Sequence, residues 1–267
     1  MADSGERRML FDIRGRRKHV VRVVYAVLAL LMGASLFLVV GPFNLGELAG
    51  GGGGQDASEV FEEQAERIEG RLRVKPEDEG LLLALSRARL NAGGALQETN
   101  PQTGQPIVTP EAKAQFEQGF SAWDDYLEAA DEVNPTVAGL VAGTYFSVAE
   151  GSGTFEEINE NVEGAAETQA LAAKARPTPG AFSTLAIYEF FNGNFAAGDK
   201  AVAQAKGLIA SKAERRAVEK QLDPYRKSAQ IYRKQVREFE KTQKGKGKEA
   251  FESALGGLGG SLSGASE

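Results

Sequence analysis

FSTLAIYEFFNGNFAAGDKAVAQA, residues 182–205, decides how the rest of this chain is read. Two runs of helical periodicity flank Asn192-Gly193, a dipeptide that marks a turn. Leu185, Phe190 and Val202 supply apolar faces, and small residues at 186, 198 and 205 allow two helices to approach closely. The stretch therefore reads as a helical hairpin with a tight glycine turn. The same periodicity also fits a generic bundle in which those apolar residues are simply core.

The pattern extends in both directions. ASEVFEEQAERIEGRLRV, from Ala57, repeats Val60, Phe61, Ala65, Ile68 and Leu72 at helical spacing, with Ser58 as the expected N-cap and Pro76 as the stop. A second helix is expected from Glu79 to the Gly93-Gly94 pair, followed by an exposed loop over 95–111 with three prolines. Thr109-Pro110-Glu111 is a sound helix start, because proline is favoured at the first helical position. That helix is expected to reach Asn134 and to be stopped by Pro135. TVAGLVAGTYFSVAEG and TFEEINENVEGAAETQALAAKA follow, the first closed by Gly151 and Gly153 and the second by Pro177. A last long helix, about 211–244, contains Pro224, which predicts a kink or a division. GGLGGSLSGASE reads as low-complexity tail, and alternating β-branched runs are nearly absent. The expected class is all-α.

Upstream lies a segment of another kind. Arg7, Arg8, Arg14, Arg16, Arg17, Lys18 and Arg22 precede an apolar run over Val23–Val40, and no Asp, Glu, Lys or Arg occurs between Arg22 and Glu47. As a helix this run spans about 27 Å, close to a hydrocarbon core of roughly 30 Å. It is longer than a signal-peptide core, and ELAGGGG offers no clean small-residue cleavage pattern. A single-pass transmembrane helix over 23–43 is therefore expected. The positive-inside rule then places segment 1–22 in the cytoplasm and the later residues outside. Arg14, Arg16, Arg17, Lys18 and Arg22 are the residues expected at the membrane surface. The remaining boundaries are a Gly-rich linker over 44–56, a helical domain over 57–245 and a flexible tail over 246–267.

Composition narrows the chemistry. The 267-residue chain has no cysteine, so disulfides, thiolate nucleophiles and Cys-ligated zinc are excluded. Its one histidine, His19, sits in the basic block, so neither a Ser-His-Asp triad nor a multi-His metal site can be built from one chain. Asp124-Asp125, beside Trp123 and Tyr126, is the one cluster reminiscent of a sugar or metal site. Adjacent helical positions point about 100° apart, so the pair reads as a surface feature flanked by core aromatics. No cofactor, no catalytic residue and no enzymatic activity are expected.

The hairpin at 182–205 resembles a tetratricopeptide repeat (TPR). Phe182 takes the first aromatic position, Leu185 and Ala186 the following Leu-Gly pair, Gly193 the turn, and Phe195 the aromatic after it. Gly198, Val202 and Ala205 take the packing face of the second helix. The sequence departs from the family at Glu189, where an aromatic is preferred, and lacks a proline near 210. SAWDDYLEAADEVNP resembles the second helix and exit of another repeat, with Ala130 and Pro135 in register. Pro135 and Pro177, 42 residues apart, each close a helix pair. One good repeat and two degenerate ones cover about half of the chain, which implies a TPR-like helical-hairpin solenoid. RRMLFDIRGRRKHVVRVVYAVLALLMG resembles the start of small actinobacterial membrane proteins with TPR-like exported domains, and loosely the anchors of YfgM-type and PpiD-type translocon-associated factors.

These resemblances imply a membrane-anchored scaffold or ancillary chaperone that binds protein or peptide partners outside the cytoplasmic membrane, near the secretion translocon or other envelope machinery. The first helices of such hairpins line the concave binding face, and Arg89, Tyr145 and Tyr188 are the expected partner-binding residues. Charge offers an alternative. Residues 206–248 carry 14 basic and 5 acidic side chains, whereas residues 47–200 carry 10 basic and 26 acidic ones. The basic C-terminal helix would then bind cell-wall polymer or anionic lipid, dock on acidic residues of its own chain or a neighbour's, or present a solvated face. No nucleic-acid motif accompanies it.

Overall fold

The computed structural model describes residues 54–101, 106–242 and 247–256. The expected cytoplasmic segment, the transmembrane helix over 23–43 and linker residues 44–53 lie outside the described residues. Among the described residues no helix is long and apolar enough to cross a membrane. They form an all-α arrangement of nine helices with one two-stranded ribbon.

The first helix, α1 (Gly54–Leu72), starts inside the expected linker. Ser58 is a buried residue of this helix rather than its N-cap. Ala65 and Ile68 pack with Leu81 and Ala88 of α2 (Glu79–Ala95), and this docking sustains the additional upstream turn. Asp78 caps α2, its Oδ1 accepting the Leu81 N–H at 3.1 Å.

α2 ends at Ala95, one residue past the expected Gly93-Gly94 pair, and Gly93 also has a packing role. A Cβ at Gly93 would lie 2.5 Å from the Phe116 ring, and one at Gly119 would lie 2.7 Å from Leu90 Cδ2. Gly93 and Gly119 set a close crossing of α2 with α3 (Pro110–Ala129). Between the two helices, Glu98–Thr99 (β1) pairs antiparallel with Pro106–Ile107 (β2), so the expected open loop contains a short ribbon. Gln97 Nε2 donates to Ser147 Oγ at 3.2 Å, tying this insertion to a later helix.

Proline acts at helix starts. Thr109 Oγ1 accepts the Ala112 N–H at 3.1 Å, with Pro110 at the first position, as expected. Pro135 and Pro179 play the same part. Asn134 Oδ1 accepts from Thr136 and Val137, each at 3.1 Å, to open α4 (Pro135–Gly151). Consequently α3 ends at Ala129, short of the expected Asn134. The Tyr126 hydroxyl closes the turn, donating to the Glu132 carbonyl at 2.8 Å and accepting the Asn134 N–H at 2.9 Å. Thr154 caps α5 (Phe155–Ala175) through the Glu157 N–H at 3.2 Å, and Thr178 caps α6 (Pro179–Asn192) through Ala181 at 3.0 Å.

Gly193 ends α6 in the left-handed region, φ 86°, and α7 (Phe195–Gly207) turns back along it. Gly198 faces the Phe190 ring and the Ala186 carbonyl, so the expected small-residue approach of the two helices is present.

The last long helix, α8 (Lys212–Thr242), runs unbroken through Pro224 for 31 residues, about 46 Å. Pro224 faces solvent, where water can satisfy the carbonyl that loses its helical partner. Val218, Leu222, Tyr225, Ala229, Tyr232, Val236 and Phe239 recur at alternating steps of four and three, and this seam packs into the largest core cluster. α9 (Gly247–Gly256) corrects the expectation of a flexible tail from residue 246. Phe251 is 0% exposed, and its ring meets those of Phe146, Phe191 and Tyr232 at 4.9–5.7 Å.

The helices from α1 to α7 pack chiefly on a chain neighbour, with α2 on α3, α4 on α5 and α6 on α7, whereas α8 lies chiefly against α6. The three core clusters follow one another along the chain.

Candidate interaction surfaces

Tyr145 is half-buried, the least buried of the three expected partner-binding residues. Its ring stacks on Phe120 of α3, with centroids 3.7 Å apart and planes 7° from parallel. The other side faces Gly164 of α5, where an added Cβ would come within 3.1–3.2 Å of the ring. The absent side chain at 164 thus makes room for the tyrosine. Glu160 and Glu167 flank Gly164 at helical spacing, and Asp124 lies one turn beyond Phe120. Burial, followed by these three carboxylates, pushes the Tyr145 hydroxyl up to about 12. Asp124, Glu160 and Glu167 are exposed and make no ion pair among the described residues. A half-buried aromatic stack is thus edged by three exposed carboxylates.

Arg89 and Tyr188 have interior roles, which corrects their expected place on a binding face. Arg89 is 8% exposed, and its Nη2 donates to Glu69 Oε1 at 2.5 Å and its Nη1 to Gln115 Oε1 at 3.0 Å. It joins α1, α2 and α3, while its Nε finds no partner. Tyr188 is 5% exposed and stacks on Phe146, with centroids 4.8 Å apart. Burial and the nearby Glu150 hold its hydroxyl well above the ordinary range. Helical spacing had placed both residues on first helices but not toward solvent.

Asp124 and Asp125 are exposed, whereas Trp123 and Tyr126 are buried. Burial, Asp125 and Glu128 raise the Asp124 carboxyl above its usual range. Among the described residues no group of three or more His, Asp or Glu is placed to hold a metal ion.

The heptad frame of α8 exposes a second surface. With the apolar seam turned inward, Lys220, Lys227, Lys234 and Lys241 all fall opposite it, one every seven residues. Successive lysines are about 10.5 Å apart along the axis, and the row extends roughly 31 Å. Lys227 pairs with Asp223 at 2.6 Å, whereas Lys220, Lys234 and Lys241 make no ion pair among the described residues. Ile231 lies between Lys227 and Lys234 and is 59% exposed. The expected membrane-surface residues Arg14, Arg16, Arg17, Lys18 and Arg22 lie outside the described residues.

Comparison with known proteins gave no relative from which a function could be carried over, since no family model, no curated protein and no solved structure matches this chain.

Proposed function

We propose that this chain is a protein-binding scaffold or ancillary chaperone, anchored by residues 23–43 and working outside the cytoplasmic membrane beside secretion or envelope machinery. Its helix pairs act as a TPR-like solenoid. The order α2/α3, α4/α5, α6/α7 supports that reading, as does the Gly193 turn with its close Gly198 approach. The basic block before an apolar run of membrane-spanning length supports the anchor and the orientation.

The observation that carries the binding reading is the Tyr145 cluster. Half-buried aromatic rings supply contact area at low entropic cost, and Asp124, Glu160 and Glu167 supply unpaired negative charge around them. A polypeptide segment bearing Lys or Arg fits both features, its aliphatic stems lying against the ring edges and its charged heads meeting the carboxylates.

In-cell photo-crosslinking from position 145, with mass spectrometry of the captured chains, tests this. Position 188 serves as the interior control. Capture at 145 of basic segments of exported proteins or translocon subunits is expected, and Asp124→Lys with Glu160→Lys should diminish it. Capture at 145 no greater than at 188, or insensitive to those charge changes, overturns the reading.

A further inference from the structure

Two helices far apart in chain order, α1 and α8, carry opposite charge on their solvent faces. α1 packs on α2, and α8 packs on α6, α7 and α9, so the two belong to opposite ends of the chain order. On α1 the inward positions are Ser58, Phe61, Ala65, Ile68 and Leu72. Glu59, Glu63 and Glu66 are exposed on its other side. Glu63 makes only an exposed pair with Arg67, at 3.5 Å, while Glu59 and Glu66 make none among the described residues.

The spacing also agrees. Glu59 and Glu66 are seven residues apart, about 10.5 Å along the axis, the same interval that separates Lys227 from Lys234. Each stripe holds one exposed apolar residue, Val60 at 47% on α1 and Ile231 at 59% on α8. Two helices laid side by side would bring the apolar residues near one another while Lys227 and Lys234 meet Glu59 and Glu66. Within one chain six helices, α2 to α7, separate the faces in chain order, whereas two copies can juxtapose them directly.

We infer that the α8 lysine row docks on the α1 glutamate face of a second copy of this chain. The contact joins two different faces, the α8 row of one copy and the α1 face of another. Its charge pairs are exposed, so it is salt-sensitive and reversible. Anionic lipid or wall polymer would engage the same lysines, but neither would use the glutamate face. The paired stripes favour a second copy. This inference stands apart from the Tyr145 reading, and either can fail alone.

The test uses the purified full-length chain in mild detergent, followed by sedimentation equilibrium and by mass photometry. One variant carries Lys220→Glu, Lys227→Glu, Lys234→Glu and Lys241→Glu, and the other carries Glu59→Lys, Glu63→Lys and Glu66→Lys. Wild-type chain should assemble in low salt and dissociate in about 1 M salt, where the screening length falls to roughly 3 Å. Each variant alone should show an apparent dissociation constant raised about tenfold or more. Their equimolar mixture should regain assembly, because an unaltered lysine row then meets an unaltered glutamate face. Circular dichroism checks folding, and the corresponding Gln substitutions replace any variant that fails that check. A monomeric wild type overturns the inference, as do variants that assemble like wild type. A mixture that stays dissociated also overturns it, as does binding of anionic vesicles through the lysines with no dependence on the glutamates.

Discussion

Arg233 lies over Gly193, so close that a Cβ added at the glycine would stand 2.5 Å from Nε. The guanidinium is held there by its Nη1 hydrogen bond to Asn159, 2.6 Å. One arginine of α8 thus joins the α6–α7 turn to α5. Gly193→Ala meets two obstacles, the left-handed backbone at φ 86° and the displacement of Arg233. We expect a loss of about 2 kcal/mol, seen as a Tm lower by roughly 4–8 °C. In an Arg233→Ala background the same substitution should cost measurably less. Additivity within about 0.5 kcal/mol in that double-mutant cycle would show that the two residues are not coupled.

Phe251 makes α9 part of the core, and its removal should affect the whole domain. Its ring sits among Phe146, Phe191 and Tyr232, which belong to α4, α6 and α8. Phe251→Ala should destabilise by about 3–5 kcal/mol, the range for deleting a buried aromatic ring. Denaturant unfolding checks this, with exposed Ser253→Ala as the comparison. Equal midpoints for the two variants would detach α9 from the cooperative unit.

Glu150 makes stability depend on pH. Burial pushes its carboxyl from 4.5 up to about 7, and Tyr188 is the neighbouring titratable group that feels its charge. The folded state therefore binds this proton more tightly than the unfolded chain does. The resulting stabilisation is full below about pH 4.5 and is lost as pH rises toward 7. Glu150→Gln removes the charge, so it should raise stability at pH 8 by on the order of 2–3 kcal/mol and change little at pH 4.5. Denaturation midpoints at the two pH values decide, and an equal effect at both would assign the change to packing.

The start of α3 is legible in the sequence because its chemistry is local. Thr109-Pro110 names a cap and a first-turn proline in adjacent letters, and the structure adds only the 3.1 Å hydrogen bond to Ala112. The stop of α3 is not, because the same proline that bars one helix can open the next. Asn134-Pro135 was read as an ending and is a beginning. α9 escaped notice because ten residues set among glycines and lysines carry little periodicity, and Phe251 alone marks its buried face. The lysine row was visible as composition, yet it became a surface only when the Val218–Phe239 seam fixed which side of α8 turns inward. Tyr188 lies in a helix that buries Leu185, Ala186, Ile187, Phe190 and Phe191, so periodicity could not decide whether its ring faced outward. Tyr145 is distinguished by a glycine across the gap, a pairing between helices that no single-helix pattern contains.

Arg89 offers a final distinction, between a residue that binds a partner and one that holds the fold. Its aliphatic stem is buried between helices, and its charge is met by Glu69, whose own side chain remains 40% exposed. Arg89→Met keeps the packing and leaves Glu69 free to hydrate, so its cost should stay below about 1.5 kcal/mol. Arg89→Ala also loses the stem and opens a cavity beside Gln115, so its cost should reach about 2–4 kcal/mol. Chemical denaturation of both variants gives the comparison. Equal stability of the two, combined with loss of partner capture from position 145, would return Arg89 to the binding face. The expected order, Arg89→Ala below Arg89→Met with capture retained in Arg89→Met, assigns it to the packing of α1, α2 and α3.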